Sequence, residues 1–267
     1  MKRTKRQLLG QHFLKNPRVL DRIAAAIAPG PEDLILEIGP GTGALTARLC
    51  GKAGRVVAVE KDPALVRRLT ELGLPGLTLV EGDALALDWK PLLASAPSRW
   101  TVKIAGNLPY SISTPLLFKV LDLRARFAEG VFLIQKEVAE RLAARPGRKA
   151  FAPLSILFQL HFEVRLLFKV APGSFAPPPK VDSALISHRP RPAPLYALED
   201  EPGFRALLRV VFEQRRKTLF NGLLRYGTPA EKAARALEAL ALPKTARPEE
   251  LSIEHWVRLF GLIKKTC

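Results

Sequence analysis

The run Leu34-Ile35-Leu36-Glu37-Ile38 passes directly into Gly39-Pro40-Gly41-Thr42-Gly43, and this junction constrains the fold more than any other part of the chain. A short apolar run followed at once by alternate glycines reads as a buried strand ending in a tight turn. Glycine tolerates positive φ there and lets backbone N–H groups approach a ligand. Ala44 to Leu49 has the spacing of a helix, and Val56-Val57-Ala58-Val59-Glu60 supplies a second strand. Strand, turn, helix and strand make a βαβ unit, which commits this region to parallel pairing.

The alternation continues downstream. A helix is predicted around Ala64 to Leu72, strands at Leu77-Thr78-Leu79-Val80 and Val102-Lys103-Ile104-Ala105, a helix over Ser113 to Leu121 and a strand at Val131-Phe132-Leu133-Ile134. Upstream, Pro17 to Ala28 has apolar residues at helical spacing and stops at Pro29-Gly30-Pro31. Phe158 to Val170 and Val181 to His188 read as two strands able to pair as a long hairpin around the proline-stiffened loop Ala171 to Lys180. A second proline-rich stretch, Arg189 to Pro194, has the composition of a boundary. Beyond it, Phe204 to Leu219, Ala230 to Leu240 and Ile253 to Leu262 are predicted helices. The expected architecture is α/β: a Rossmann-like domain over 1–190 with a basic leader, then a small helical domain over 191–267. Ligand belongs at the carboxyl edge of such a sheet.

The spacing GxGxG is neither the GxGxxG of dinucleotide folds nor the GxxxxGK[ST] of phosphate loops. Glu60 ends the second strand, where a carboxylate can accept from both ribose hydroxyls, and Asp83 follows the third, placed to accept from an adenine amino group. Glu37 lies beneath the glycine turn, able to fix the loop or meet a ligand's amino group. Several carboxylates suit a cofactor carrying a sulfonium and a ribose but no pyrophosphate, which would be repelled. These residues favour S-adenosylmethionine and leave a nicotinamide cofactor open.

Asn107-Leu108-Pro109-Tyr110 closes the fourth strand. An adenine N6 amine is a poor nucleophile while its lone pair is conjugated with the ring. The Asn107 amide oxygen could accept one N6 hydrogen and a backbone carbonyl held by Pro109 the other, orienting the amine and stabilising the charge that develops on nitrogen. Tyr110 offers a stacking face for an extruded base, and Phe175, on the proline loop, could cover the opposite face. His12, His161, His188 and His255 lack ligand spacing, so no metal is expected; His161, in an apolar strand, reads as structural. Ser155 and Ser183 have no evident partners for a hydrolytic triad.

With 42 Lys and Arg against 25 Asp and Glu, the formal net charge is +17, a field that draws polyanions. The basic residues cluster as Lys2, Arg3, Lys5 and Arg6 in the leader; Arg141, Arg145, Arg148 and Lys149 around Pro146-Gly147; and Arg215-Arg216-Lys217 in the first helix of the small domain. Three clusters suit a long RNA followed over the surface. No run reaches the roughly 18 apolar residues that span a bilayer, and the leader lacks the apolar stretch of a secretory signal, so a cytoplasmic protein without membrane attachment is expected. Cys50 and Cys267 form no CxxC pair and are read as bystanders.

Taken in order, these segments resemble the ribosomal RNA adenine N6,N6-dimethyltransferase family, and within it the bacterial small-subunit, kasugamycin-sensitivity methyltransferases. The resemblance rests on Gly10-Gln11-His12-Phe13-Leu14, Leu36 to Gly43, Asn107 to Tyr110, Gln135 to Leu142, Phe175 to Ser183 and Arg215-Arg216-Lys217-Thr218-Leu219. It implies a class I S-adenosylmethionine-dependent methyltransferase, with S-adenosylhomocysteine as product. His12, Leu14, Gly39, Glu60, Asp83 and Asn107 would surround the cofactor, in company with Gln11, Glu37 and Gly41. Tyr110 and Phe175 would flank the adenine, while the small domain helps hold the RNA. The implied substrate is a pair of adjacent adenosines in a hairpin near the 3′ end of small-subunit rRNA, in an assembling subunit, and the implied state a monomer. Rivals are the large-subunit rRNA adenine methyltransferase that confers macrolide resistance and a nonenzymatic assembly factor on the same scaffold. Some members carry a tyrosine-glycine pair where this chain has Phe151-Ala152, which bears on local loop shape.

Overall fold

A computed structural model describes residues 12–264, in two compact units. The first holds the described residues up to Ala139 together with Glu163–Pro190; the second holds Glu140–Phe162 and the described residues from Arg191 on. A boundary therefore falls in the proline-rich stretch, whereas 140–162, placed by sequence in the first domain, groups with the C-terminal helices.

In chain order the first unit contains β1 (Phe13–Leu14), α1 (Pro17–Ile27), β2 (Asp33–Ile38), α2 (Thr46–Leu49), β3 (Arg55–Glu60), α3 (Pro63–Glu71), β4 (Leu77–Glu81), α4 (Lys90–Ala94), β5 (Thr101–Asn107), α5 (Ser113–Asp122) and β6 (Glu129–Gln135). The helices α6 (Lys136–Leu142) and α7 (Pro153–His161) come next, followed by β7 (Phe162–Val170), β8 (Phe175–Ala176) and β9 (Ser183–Pro190). Seven strands form one sheet in the order β4-β3-β2-β5-β6-β9-β7. The first five run parallel, and β9 is antiparallel to β6. Because the strand order reverses at β2, the crevice beyond its carboxyl end is the natural ligand position.

All six residues of β2 are buried, so both faces of this strand are covered. On one face α1 presents Leu20, Ile23 and Ile27 to a cluster with Ile35, Val56, Ala105, Val131, Leu133 and Leu185, each such burial worth about 1.5–3 kcal/mol. The helix starts where Asn16 accepts a hydrogen bond from the Val19 N–H at 3.3 Å, with Pro17 in its first turn. At its far end Lys103 donates to the Ala28 carbonyl and pairs with Asp33, both at 2.7 Å, which anchors α1 to β2 and β5. Beside the main sheet, β1 pairs with β8, Leu14 opposite Phe175.

One predicted strand is too long. Phe158 to His161 belongs to α7, and the strand begins at Phe162. Leu154, Ile156, Leu157, Phe158 and Leu160 are all buried, and a helix hidden on every side loses the polar face by which sequence distinguishes it from a buried strand. His161 consequently ends a helix, 3.3 Å from Glu201.

The second unit continues with α8 (Glu201–Glu213), α9 (Leu219–Arg225), α10 (Ala230–Ala239) and α11 (Ile253–Ile263). Phe204 packs against Phe260 and Phe212 against Trp256, both pairs with ring centroids 5.5 Å apart. Helices this short depend on such packing. The helix predicted over Phe204 to Leu219 ends early: it stops at Glu213, a turn follows, and α9 begins at Leu219, where Thr218 caps it by accepting from the Asn221 N–H. Arg215-Arg216-Lys217 therefore occupies a turn between helices rather than a helix.

Candidate functional site

A cavity of about 300 Å³ opens at the carboxyl ends of β2, β3, β4 and β5. Its walls include His12, Leu14, Glu37, Gly39, Gly41, Glu60, Asp83, Asn107, Pro109 and Tyr110. Residues from four strand ends separated by up to 70 positions thus meet in one hollow. Gln11, Lys2, Arg3, Lys5 and Arg6 lie outside the described residues.

The glycine turn is shaped for this place. Gly39 and Gly41 have φ of +68° and +59°, and a Cβ on Gly41 would stand 2.9 Å from the Phe13 ring. Glu60 holds the turn: its Oε2 accepts from the Gly41 N–H at 3.1 Å, and its Oε1 from the N–H groups of Lys61 and Asp62 at 2.9 Å. Three donors occupy three of roughly four acceptor directions, so Glu60 retains one for a ligand hydroxyl, not the two expected from sequence.

The other carboxylates are set differently. Asp83 pairs with Lys61 at 2.8 Å and accepts from the Leu85 N–H at 2.9 Å; these contacts hold its carboxyl below the usual range. Glu37 is buried, which pushes its carboxyl up to about 7; the nearby Thr46 hydroxyl favours the charge and Glu60 opposes it. Among the described residues Glu37 Oε2 has no hydrogen-bond partner. A buried acceptor without a donor, facing a cavity, is a place for a cationic or N–H-bearing ligand group.

At the opposite wall Asn107 donates from Nδ2 to the His12 carbonyl at 2.9 Å. A carbonyl can only accept, so this contact fixes which end of the amide is the donor and leaves Oδ1 as acceptor. His12 is itself bonded through Nδ1 to the Pro177 carbonyl at 2.9 Å. The Tyr110 ring lies 5.4 Å from the His12 ring, and its hydroxyl meets Ser183 Oγ at 2.5 Å.

Two sequence expectations fail here. The Pro109 carbonyl already accepts from the Ser113 hydroxyl at 3.0 Å and the Ile112 N–H at 3.1 Å. Both lone pairs serve the turn that leads into α5, one taken by the Ser113 side chain and one by the N–H of Ile112 just before the helix, so none is left for a substrate amine. Phe175 does not line the cavity. Its ring, 1% exposed, packs in the core cluster with Leu14 and Val170, because pairing with β1 turns it inward.

In the second unit, Arg215 donates to the carbonyls of Lys149 and Phe151 at 2.7 and 2.8 Å. Two basic clusters that sequence separates therefore share one surface, with Arg145, Arg148, Lys149, Arg216 and Lys217 exposed and Arg141 half-buried. The departure at Phe151-Ala152 sits in this loop, where Phe151 is fully buried.

Sequence reasoning missed several residues that shape the cavity. Lys119 donates to the carbonyls of Ala84, Leu85 and Leu87, pinning the loop after Asp83. Ser113 fixes the turn after Asn107, and Ser183 holds Tyr110. Ser113 and Lys119 lay in the helix predicted over Ser113 to Leu121 with no role assigned, and Ser183 was read as a serine without partners for a triad.

A doubly wound sheet with this strand order, a glycine turn after its central strand and a carboxylate closing the next one defines a class I S-adenosylmethionine-dependent methyltransferase with a C-terminal helical domain. A dimethyladenosine transferase from Plasmodium falciparum has the same architecture, with a TM-score of 0.77 and 30% identity over 93% of this chain and 96% of that one. A 23S rRNA methyltransferase, ErmE, gives a TM-score of 0.71 and 26% identity over 95% and 100%. The ribosomal RNA small subunit methyltransferase A of Geobacter metallireducens is 46% identical over 259 residues, 95% of this chain and 94% of the relative. The profile described as Ribosomal RNA adenine dimethylase matches residues 2–265, and the chain belongs to that family. It is an S-adenosylmethionine-dependent enzyme that binds ribosomal RNA.

Proposed function

We propose that this protein dimethylates N6 of two adjacent adenosines in a hairpin near the 3′ end of small-subunit rRNA, acting as a cytoplasmic monomer on an assembling subunit. The substrate assignment is supported by relatives named for the small subunit at 46% and 45% identity, against 26% for the large-subunit enzyme. The observation that carries the chemistry is the Asn107 amide, turned by the His12 carbonyl so that its oxygen is the acceptor.

The cavity residues suit the cofactor. Glu37 would meet its amino group, Glu60 one ribose hydroxyl and Asp83 the adenine amine, between walls provided by Leu14, the glycine turn and Ile38. Bound there, S-adenosylmethionine supplies an electrophilic methyl group. Asn107 Oδ1 accepts one N6 hydrogen of the target base. The second acceptor is the peptide carbonyl of Leu108 in place of Pro109: Leu108 lines the same wall, and its N–H is anchored to the Leu133 carbonyl at 3.0 Å. Held this way, the nitrogen lone pair leaves ring conjugation and faces the methyl group; its proton departs once nitrogen carries the positive charge. Tyr110 stacks on the base, and the surface of Arg145, Arg148, Lys149, Arg216 and Lys217 contacts phosphates.

The test is to incubate the protein with labelled S-adenosylmethionine and naked or assembling subunits of each size, then map the label. Dimethyladenosine in the 3′ hairpin of small-subunit RNA is the expected product. Label confined to large-subunit RNA would transfer the assignment to the macrolide-resistance reaction, and no label on either would leave an assembly factor.

A further inference from the structure

Tyr110 and Ser183 are 73 residues apart, yet their hydroxyl oxygens stand at 2.5 Å. Ser183 is fully buried and opens β9, in register with Gln135 at the end of β6, so the sheet fixes its position. The Tyr110 ring is thus tethered at its edge by a hydroxyl held in the sheet and flanked by the tilted His12 ring. Burial raises the phenol's pKa, with the Ser183 bond pulling the other way, so the group is neutral, and either hydroxyl can donate in this bond.

We infer that Ser183 is a positioning residue for the second methyl transfer, fixing the tilt of Tyr110 and with it the plane of a stacked N6-methyladenine. The inference rests on the stacking role proposed for Tyr110. In each transfer the N6 lone pair forms the new N–C bond as the methyl's bond to sulfur breaks; the electron pair stays on sulfur, and N6 then gives one proton to water. Before the first transfer N6 has two N–H groups, and two acceptors orient it. Before the second it has one N–H, so one acceptor is idle and the stacking platform carries more of the alignment. A platform free to rock therefore impairs the second transfer more than the first.

The experiment follows monomethyl- and dimethyladenosine over time, by nuclease digestion and mass spectrometry, on assembling small subunits with full-length wild type, Ser183→Ala, Tyr110→Phe and the double variant. Ser183→Ala is expected to leave the first transfer within about threefold and slow the second about tenfold, so that the monomethyl product accumulates, and Tyr110→Phe, which keeps the ring but loses the tether, is expected to shift the ratio of second to first rate down by a similar factor. The double variant should be no worse than either single, because both remove the same bond. A Ser183→Ala product mixture like wild type's overturns the inference, as do equal slowing of both transfers with a lowered melting midpoint, or effects that multiply in the double variant. Wild type that stops at the monomethyl product overturns the proposed function along with it.

Discussion

The cavity of the first unit and the basic turn of the second both gather residues distant in sequence, but they hold them to different tolerances. In the cavity Glu60 is fixed by three backbone N–H groups, Asn107 by one carbonyl and Tyr110 by one hydroxyl, while Glu37 Oε2, without a partner among the described residues, is left open to a ligand. On the basic surface Arg148, Lys149, Arg216 and Lys217 are exposed, and the loops that carry them are tied together by Arg215. Methyl transfer depends on an amine aligned within fractions of an ångström, whereas attraction to phosphates depends mainly on how many charges stand nearby. A site for chemistry needs its aligning groups bonded one by one; a surface for a polyanion needs one clasp.

That contrast is most exposed at Asn107. Asn107→Ala should lower turnover about 10²–10³-fold, the usual cost of one preorganised transition-state contact, while cofactor and RNA affinities change only a few-fold. Single-turnover rates beside equilibrium binding measure both, and equal losses in rate and affinity would erase the distinction. Removing Arg148, Lys149, Arg216 and Lys217 together should do the reverse. RNA affinity falls roughly 10–100-fold at physiological salt, the salt dependence flattens by about 0.7–0.9 for each phosphate no longer neutralised, and the rate at saturating RNA is retained. A quadruple variant with an unchanged salt slope would place the RNA elsewhere.

Arg215→Ala tests the clasp. It strips the Lys149 and Phe151 carbonyls of their donor, so denaturant unfolding should report a loss of about 1–3 kcal/mol together with a modest loss of RNA affinity. Full stability with intact binding would show that the two loops do not need it.

Glu37 gives the smallest effect and the finest test of the cavity. Its carboxyl titrates near 7, so below that pH it holds a proton, and a bound ammonium group would favour the carboxylate. Cofactor binding below pH 7 should therefore expel a proton, and affinity should rise by about fivefold between pH 6 and 7 and about twofold more by pH 8, where it levels off. Calorimetry in buffers of different ionisation heat reads the proton; Glu37→Gln should bind with no such dependence. Because the folded value lies above the ordinary 4.5, the unliganded protein gains stability from the protonated form and loses it as pH rises through 7.

The contrast also explains what could be read from the chain. Local chemistry is written locally: the apolar run and glycine turn at 34–43, the alternation of strand and helix, the carboxylates at 60 and 83 and the amide at 107 each announce themselves within a few residues. Buried context misleads the same reasoning, as at Phe158 to His161, where an apolar run was a helix covered on all sides.

The sequence by itself determined a parallel α/β sheet with a ligand crevice beside its first long strand, a cluster of acceptors there and an excess of positive charge. Only the tertiary structure decided which acceptors remain available. It spent the Pro109 carbonyl on α5, left Glu60 a single direction, buried Phe175, tied Tyr110 to Ser183 and brought 145–149 against 215–217. The physical reason is that hydrogen-bonding capacity is finite at each atom, and which distant group consumes it depends on the path of the chain, not on the residue's own neighbours.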